Sequence, residues 1–113
     1  SRGRFAVRAT VGPHSDLPLR VVVDNDSSDR CTIIDVFAHD RPGLLYAIGK
    51  VLFELDLSVL QAKITTHFDQ VLDVFFVTDG AGCKIHDGAR LTAIRECLSQ
   101  QINIFENDAR SDS

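Results

Sequence analysis

The clearest pattern in the chain is a helical repeat of apolar residues near its middle. Large apolar residues recur there at offsets 0, 1, 4, 7, 8 and 11, which is one stripe along an α-helix; they are Leu44, Leu45, Ile48, Val51, Leu52 and Leu55. Pro42 precedes the stripe, and proline is favoured in the first turn of a helix, where its missing N–H costs nothing. Residues 40–43 are therefore predicted to open a helix.

A second stripe predicts a helix near the end of the chain. Asp87 is a suitable N-cap, and apolar residues follow it at helical spacing; they are Leu91, Ile94, Leu98, Ile102 and Phe105. We expect this helix to cover 88–105.

Four other segments have the patterns of strands. The β-branched run at 19–23 is followed by a turn-rich stretch and by a second strand at 32–38, so the two are predicted to form an antiparallel hairpin. Residues 59–66 alternate between apolar and polar, whereas 71–78 are apolar on both faces except at Asp73. The last two strands are predicted to form a second hairpin.

The order ββαββα favours an α+β fold of the ferredoxin-like type, a four-stranded antiparallel sheet with both helices on one face. That fold normally ends with a strand beside the first, but nothing strand-like follows the last helix here. The run at 19–23 is predicted to take that place. We expect a domain at 19–105, preceded at 1–18 by a linker or the tail of another domain and followed at 106–113 by a polar tail.

Composition narrows the classes of function. The 113 residues suffice for one domain, and the net charge of −4 argues against a nucleic-acid partner. No apolar run is long enough to span a membrane. The three cysteines have no metal-site spacing and one must stay unpaired, which favours a reduced, cytoplasmic compartment and no metal or cofactor. The chain contains no Met, so we expect an excised piece of a longer protein.

The loop that opens the first helix is the candidate binding site. Backbone N–H groups at a helix N-terminus suit a carboxylate, and Asp40 beside them suits an ammonium group. Together they would bind a free amino acid. The alternative is that Asp40 only caps the helix and that Gly43 is there for packing.

Residues 32–79 resemble an ACT domain. The resemblance rests on Asp-Arg-Pro-Gly-Leu-Leu at 40–45 and on Asp-Val-Phe-Phe-Val-Thr-Asp at 73–79. The chain is most similar to the C-terminal ACT domain of bacterial [protein-PII] uridylyltransferases, over about 19–105, including Val-Val-Val-Asp-Asn at 21–25. The resemblance implies a regulatory domain without catalytic residues, cut from a nucleotidyltransferase of nitrogen signalling.

The family also implies an amino-acid effector, glutamine in the uridylyltransferases, bound between ACT units. Carried over by position, the ligand-binding candidates are Asp40, Arg41, Gly43, Leu44 and Ser58. Ser58 stands where many ACT domains have Asn, and Asp56 stands where the family usually has a Gly that ends the helix in a left-handed conformation.

A further prediction concerns the sheet face away from the helices. If Ala62, Ile64, Val74 and Phe76 face the helices, the other face is largely apolar, and its interface candidates are Ile33, Phe37, Phe75 and Val77. We expect this face to pack on another ACT unit, as a homodimer or with a neighbouring domain; the alternative is that 1–18 covers it.

Three functions thus remain open. The first is an amino-acid-sensing regulatory domain, and the second is a structural dimerisation module that has lost its ligand, to which Ser58 and Asp56 point. The third, a small ferredoxin-like enzyme or metal carrier, is disfavoured because the strand–helix loop has no metal motif and no arginine–amide pair.

Overall fold

The computed structural model describes residues 19–111, and the predicted linker at 1–18 lies outside them. The elements, in chain order, are β1 (Arg20–Asp24), β2 (Thr32–His39), α1 (Leu44–Glu54), β3 (Ser58–His67), β4 (Gln70–Thr78) and α2 (Gly88–Ser111). The predicted order ββαββα is confirmed.

The four strands form one antiparallel sheet in the order β1-β2-β4-β3. β1 and β2 make the predicted hairpin, with Val21 opposite Val36. β1 therefore occupies the edge where the usual ferredoxin-like fold has its last strand, and the predicted fold is confirmed.

Both helices pack against one face of the sheet in a single hydrophobic core. The residues of β2 and β4 that point into this core include Ile34, Val36, Val71, Phe75 and Val77, and the helices meet them with Leu44, Ile48, Leu52, Ile94, Leu98 and Ile102. Every second residue of β2 is buried, as expected for a strand with one covered face.

The prediction of which residues of β4 face away from the helices is wrong. Phe75 and Val77 are 3% and 0% exposed and lie opposite Ile34 and Thr32 on the core side, so they are not interface residues of the outer face. Because β4 is apolar on both faces, its alternation does not reveal which face is covered. Ile33 does lie on the predicted outer face.

The outer face of the sheet is largely apolar, as predicted, but the residues that β4 contributes to it are not the predicted ones. Phe37 and Ile33 alternate with the buried residues of β2 and lie opposite residues of β4 on the same face. The half-buried apolar residues of this face are Val22, Ile33, Phe37, Leu72, Val74 and Phe76.

The last helix is longer than predicted. It continues from Gly88 to Ser111, so the polar tail predicted from 106 is helical as far as the structure describes it. Glu106 is buried and accepts a hydrogen bond from the backbone N–H of His39, at 3.0 Å. The sequence gives no sign of this contact, because a lone Glu after an apolar stripe normally marks a solvated end.

Candidate functional site

The loop between β2 and α1 ends in a left-handed glycine. Gly43 is the N-cap of α1 and is left-handed, with φ of 85°, and no side chain caps the helix. Asp40 is therefore not the helix cap that the alternative interpretation required. A Cβ on Gly43 would lie 3.7 Å from the ring of Phe105, which is ordinary contact, so the left-handed backbone is what calls for glycine.

Neighbouring elements hold this loop from two sides. The N–H of Asp40 donates to the carbonyl of Asp69 in the β3–β4 turn, at 2.7 Å. On the other side, Glu106 of α2 accepts from the backbone of His39, and its Oε1 lies 3.1 Å from Nδ1 of that residue. His39 is half-buried in this contact. The loop is thus positioned by contacts within the fold.

A pocket of about 300 Å³ lies between this loop, α1 and the last two strands. Its lining residues are Asp40, Arg41, Gly43, Leu44, Leu45, Tyr46, Ile64, Thr66, Val71 and Asp73. Four of the five predicted ligand-binding residues line it together. The fifth, Ser58, lies past the far end of α1; because that helix has 11 residues, Ser58 is about 16 Å or more from the loop.

Asp73 is the charged residue of the pocket that sequence reasoning missed. Its side chain is 2% exposed, and its Oδ1 is buried with no hydrogen-bond partner among the described residues. Burial, and next the negative charge of Asp40, raises its pKa from the ordinary 3.8 to about 6. In the sequence, Asp73 stands out as the single carboxylate of an apolar strand. The predicted orientation of Phe75 and Val77 assigns it, by alternation, to the outer face of the sheet.

Arg41 contributes a second polar atom without a partner. Its Nε is buried and makes no hydrogen bond within the described part of the chain. Buried polar atoms are nearly always paired, and leaving one unpaired costs about 1–3 kcal/mol. An unpaired donor and an unpaired carboxylate oxygen on the lining residues of one pocket are what a ligand with both charges would satisfy.

The far end of α1 has the predicted left-handed residue. Asp56 has φ of 61°, so this aspartate does occupy the position where the family usually has glycine. Phe68, at the tip of the β3–β4 turn, is also left-handed, with φ of 59°.

The structure holds few features that would support metal or redox chemistry. Within residues 19–111, no group of three or more His, Cys, Asp or Glu side chains is placed to hold a metal ion. The three cysteines are free, and Cys83 is exposed.

The model of the ACR family N-terminal ACT domain matches residues 27–104, which is most of the chain. The chain belongs to the ACT domain family. The matched range includes β2, the loop at 40–43 and the residues that line the pocket. No solved structure matches the chain, and no described helix is long and apolar enough to cross a membrane.

Curated relatives include bifunctional uridylyltransferase/uridylyl-removing enzymes, as the resemblance predicted. The enzyme of Gluconobacter oxydans is 46% identical over 82 residues, which is 73% of this chain and 9% of the relative. That of Rhodospirillum rubrum is 39% identical over 89 residues, 79% of this chain and 10% of the relative. That of Pseudomonas entomophila is 37% identical over 100 residues, which is 88% of this chain and 11% of the relative. The chain thus spans about a tenth of these relatives.

Proposed function

We propose that this ACT regulatory domain senses a free amino acid, bound in the pocket at the start of α1. The observation that carries the proposal is the pair of buried polar atoms without partners, one on Arg41 and one on Asp73, on the lining residues of a single pocket. A purely structural module would gain stability by pairing or replacing them.

The charges of the pocket suit a zwitterion. The ligand carboxylate lies at the N-terminal end of α1, where the first N–H groups have no partner within the helix and where Arg41 adds a positive charge. The ligand ammonium lies beside Asp40. The side chain then points toward the open, apolar rim formed by Leu45 and Tyr46, which are 50% and 77% exposed.

Glutamine is the first ligand to test, because the chain resembles the ACT domains of uridylyltransferases. In this proposal the domain belongs to a cytoplasmic nucleotidyltransferase-like protein of nitrogen signalling and does no chemistry itself. A ligand that binds one arrangement of the neighbouring domains more tightly shifts the population toward that arrangement.

A second ACT unit, from another copy or a neighbouring domain, would complete the site along β3. All ten residues of this edge strand are exposed, and an uncovered strand edge offers unpaired backbone groups to a partner. The pocket reaches β3 through Ile64 and Thr66, so a unit paired with that edge would stand at the mouth of the pocket. Ser58 would then contribute only from the neighbouring unit.

The ligand is tested by calorimetry, with L-glutamine first and the other standard amino acids after it. We expect Asp40→Ala to weaken binding by about 1.5–3 kcal/mol, the value of a hydrogen bond to a charged group. Asp56→Asn is the matched control, because it removes the same charge at an exposed left-handed site outside the pocket. If no amino acid binds more tightly than about millimolar, the domain is the ligand-free structural module.

The contact with another ACT unit is tested by sedimentation velocity of paired variants. Leu60→Lys places a charge on the β3 edge, and Phe37→Lys places one on the outer sheet face predicted from the sequence. If β3 forms the contact, Leu60→Lys gives monomers and Phe37→Lys leaves dimers; the opposite result would restore the outer face as the interface. A wild-type chain that stays monomeric at high concentration would contradict both as self-association surfaces.

A further inference from the structure

We propose that Asp73 and Asp40 together bind the ammonium group of the ligand, so that the pocket selects α-amino compounds. This inference rests on the proposed amino-acid site. It adds the residue that decides which chemical group enters the deep end of the pocket.

The placement of Asp73 supports this role. The side chain is 98% buried, given its 2% exposure, yet it lines the pocket and leaves Oδ1 without a partner among the described residues. A carboxylate that served packing alone would be paired in the fold, because an unpaired buried charge is costly. An ammonium group has three donors and one positive charge, so it can satisfy this oxygen and Asp40 at once.

The charge of Asp40 acts on Asp73. The negative charge of Asp40 adds to burial in raising the pKa of Asp73 to about 6. An ammonium between them favours the ionised form and lowers that pKa again. At acidic pH, Asp73 must therefore lose its proton before the ligand binds, and affinity falls as pH drops below about 6.

Few other groups around Asp73 could cause the same pH dependence. The loop contributes Arg41, α1 contributes Tyr46, and the lining residues of β3 are Ile64 and Thr66, while Val36 of β2 lies opposite Asp73. His39 and Glu106 form an ion pair on the far side of the loop, so the test must separate them from Asp73.

The test is calorimetry on the chain with L-glutamine at about pH 5 and about pH 7.5. We expect the wild type to bind about tenfold more weakly at the lower pH, the fraction of Asp73 ionised there being about one-tenth. Asp73→Asn, which resembles the protonated form, should bind more than tenfold more weakly at the higher pH and lose the pH dependence, while the control Asp56→Asn behaves as the wild type. 4-Carbamoylbutanoate, which is glutamine without its ammonium group, should not bind measurably.

The outcomes separate the two proposals. If wild type binds neither L-glutamine nor any other standard amino acid, the amino-acid site and this inference both fail. If it binds but Asp73→Asn keeps the affinity and the pH dependence, the site stands and the role of Asp73 is overturned. Equal binding of 4-carbamoylbutanoate would also overturn the inference.

Discussion

The two ends of α1 are built on the same backbone device and differ in how their polar groups are satisfied. Each end has a left-handed residue, Gly43 before the helix and Asp56 after it. At the C-terminal end, the N–H of Asp56 donates to Phe53 at 3.0 Å and that of Leu57 donates to Leu52 at 3.1 Å. These two bonds form a Schellman motif, which satisfies the last carbonyls of the helix within the chain.

The N-terminal end lacks such closure. No side chain caps the helix, and the polar atoms left buried beside it are Nε of Arg41 and Oδ1 of Asp73. The backbone bonds at the C-terminal end stabilise the helix. The N-terminal end retains two buried polar atoms without partners among the described residues, and such atoms lower the stability of a fold. The comparison supports the proposal that the ligand binds at the start of the helix.

The largest expected effect on stability comes from removing the charge of Asp73 beside the N-terminal end of α1. The pKa of Asp73 in the fold, about 6, is above its ordinary value of 3.8, so folding favours the protonated form. The stabilisation that comes from the protonated Asp73 carboxyl is then fully present below about pH 4 and is lost as the pH rises through about 6. Because one pKa unit is worth about 1.4 kcal/mol, we expect Asp73→Asn to raise the free energy of unfolding by about 2–3 kcal/mol at pH 7, relative to its effect at pH 4.

Urea denaturation of wild type and Asp73→Asn at the two pH values checks this expectation. Asp56→Asn is the control, since that exposed carboxylate should show no comparable difference. An Asp73→Asn variant that is less stable than wild type at neutral pH would show that the carboxylate is paired in the fold, and the contrast between the two ends would disappear.

A smaller effect is expected from Gly43→Ala. The new Cβ meets no close atom, but an alanine at φ of 85° is strained, at a cost of about 1–2 kcal/mol. Because the strain falls on the loop that lines the pocket, ligand affinity should fall as well as thermal stability. Calorimetry and thermal denaturation measure the two quantities; a loss of stability with unchanged affinity would place the ligand elsewhere.

The smallest effect is expected from the reverse change at the closed end. Asp56→Gly relieves the left-handed strain and should stabilise the fold by about 0.5–1 kcal/mol while leaving ligand affinity unchanged. Chemical denaturation and calorimetry on the same variant check both parts. A change in affinity comparable to that of Asp40→Ala would mean that both ends of α1 take part in binding.

The fold was largely accessible from the sequence because its signals are local. The stripe from Leu44 to Leu55 indicates which face of α1 is covered, and Leu44, Ile48, Val51 and Leu52 are buried, while Leu45 is 50% exposed. β4 has apolar residues on both faces, so only the pairing of Phe75 with Ile34 determines which side meets the helices. That pairing depends on contacts distant in sequence, which periodicity does not contain.

The site was predicted in part for the same reason. The loop from Asp40 to Leu44 has a local motif, whereas Asp73 enters the pocket only through the register of β4, and Glu106 reaches His39 across 67 positions of the chain. Ser58 was inferred by position in the family, and its contribution to binding stays a prediction that requires a neighbouring unit.

The most direct test of the ligand end is a map of backbone amide shifts by nuclear magnetic resonance during titration with L-glutamine. We predict saturable changes at the amides of Arg41, Gly43 and Leu44, and at Asp73, with none of similar size at 56–58 apart from those that accompany self-association. Shifts concentrated at 56–58, or no saturable shift anywhere with glutamine or the other standard amino acids, would contradict the account.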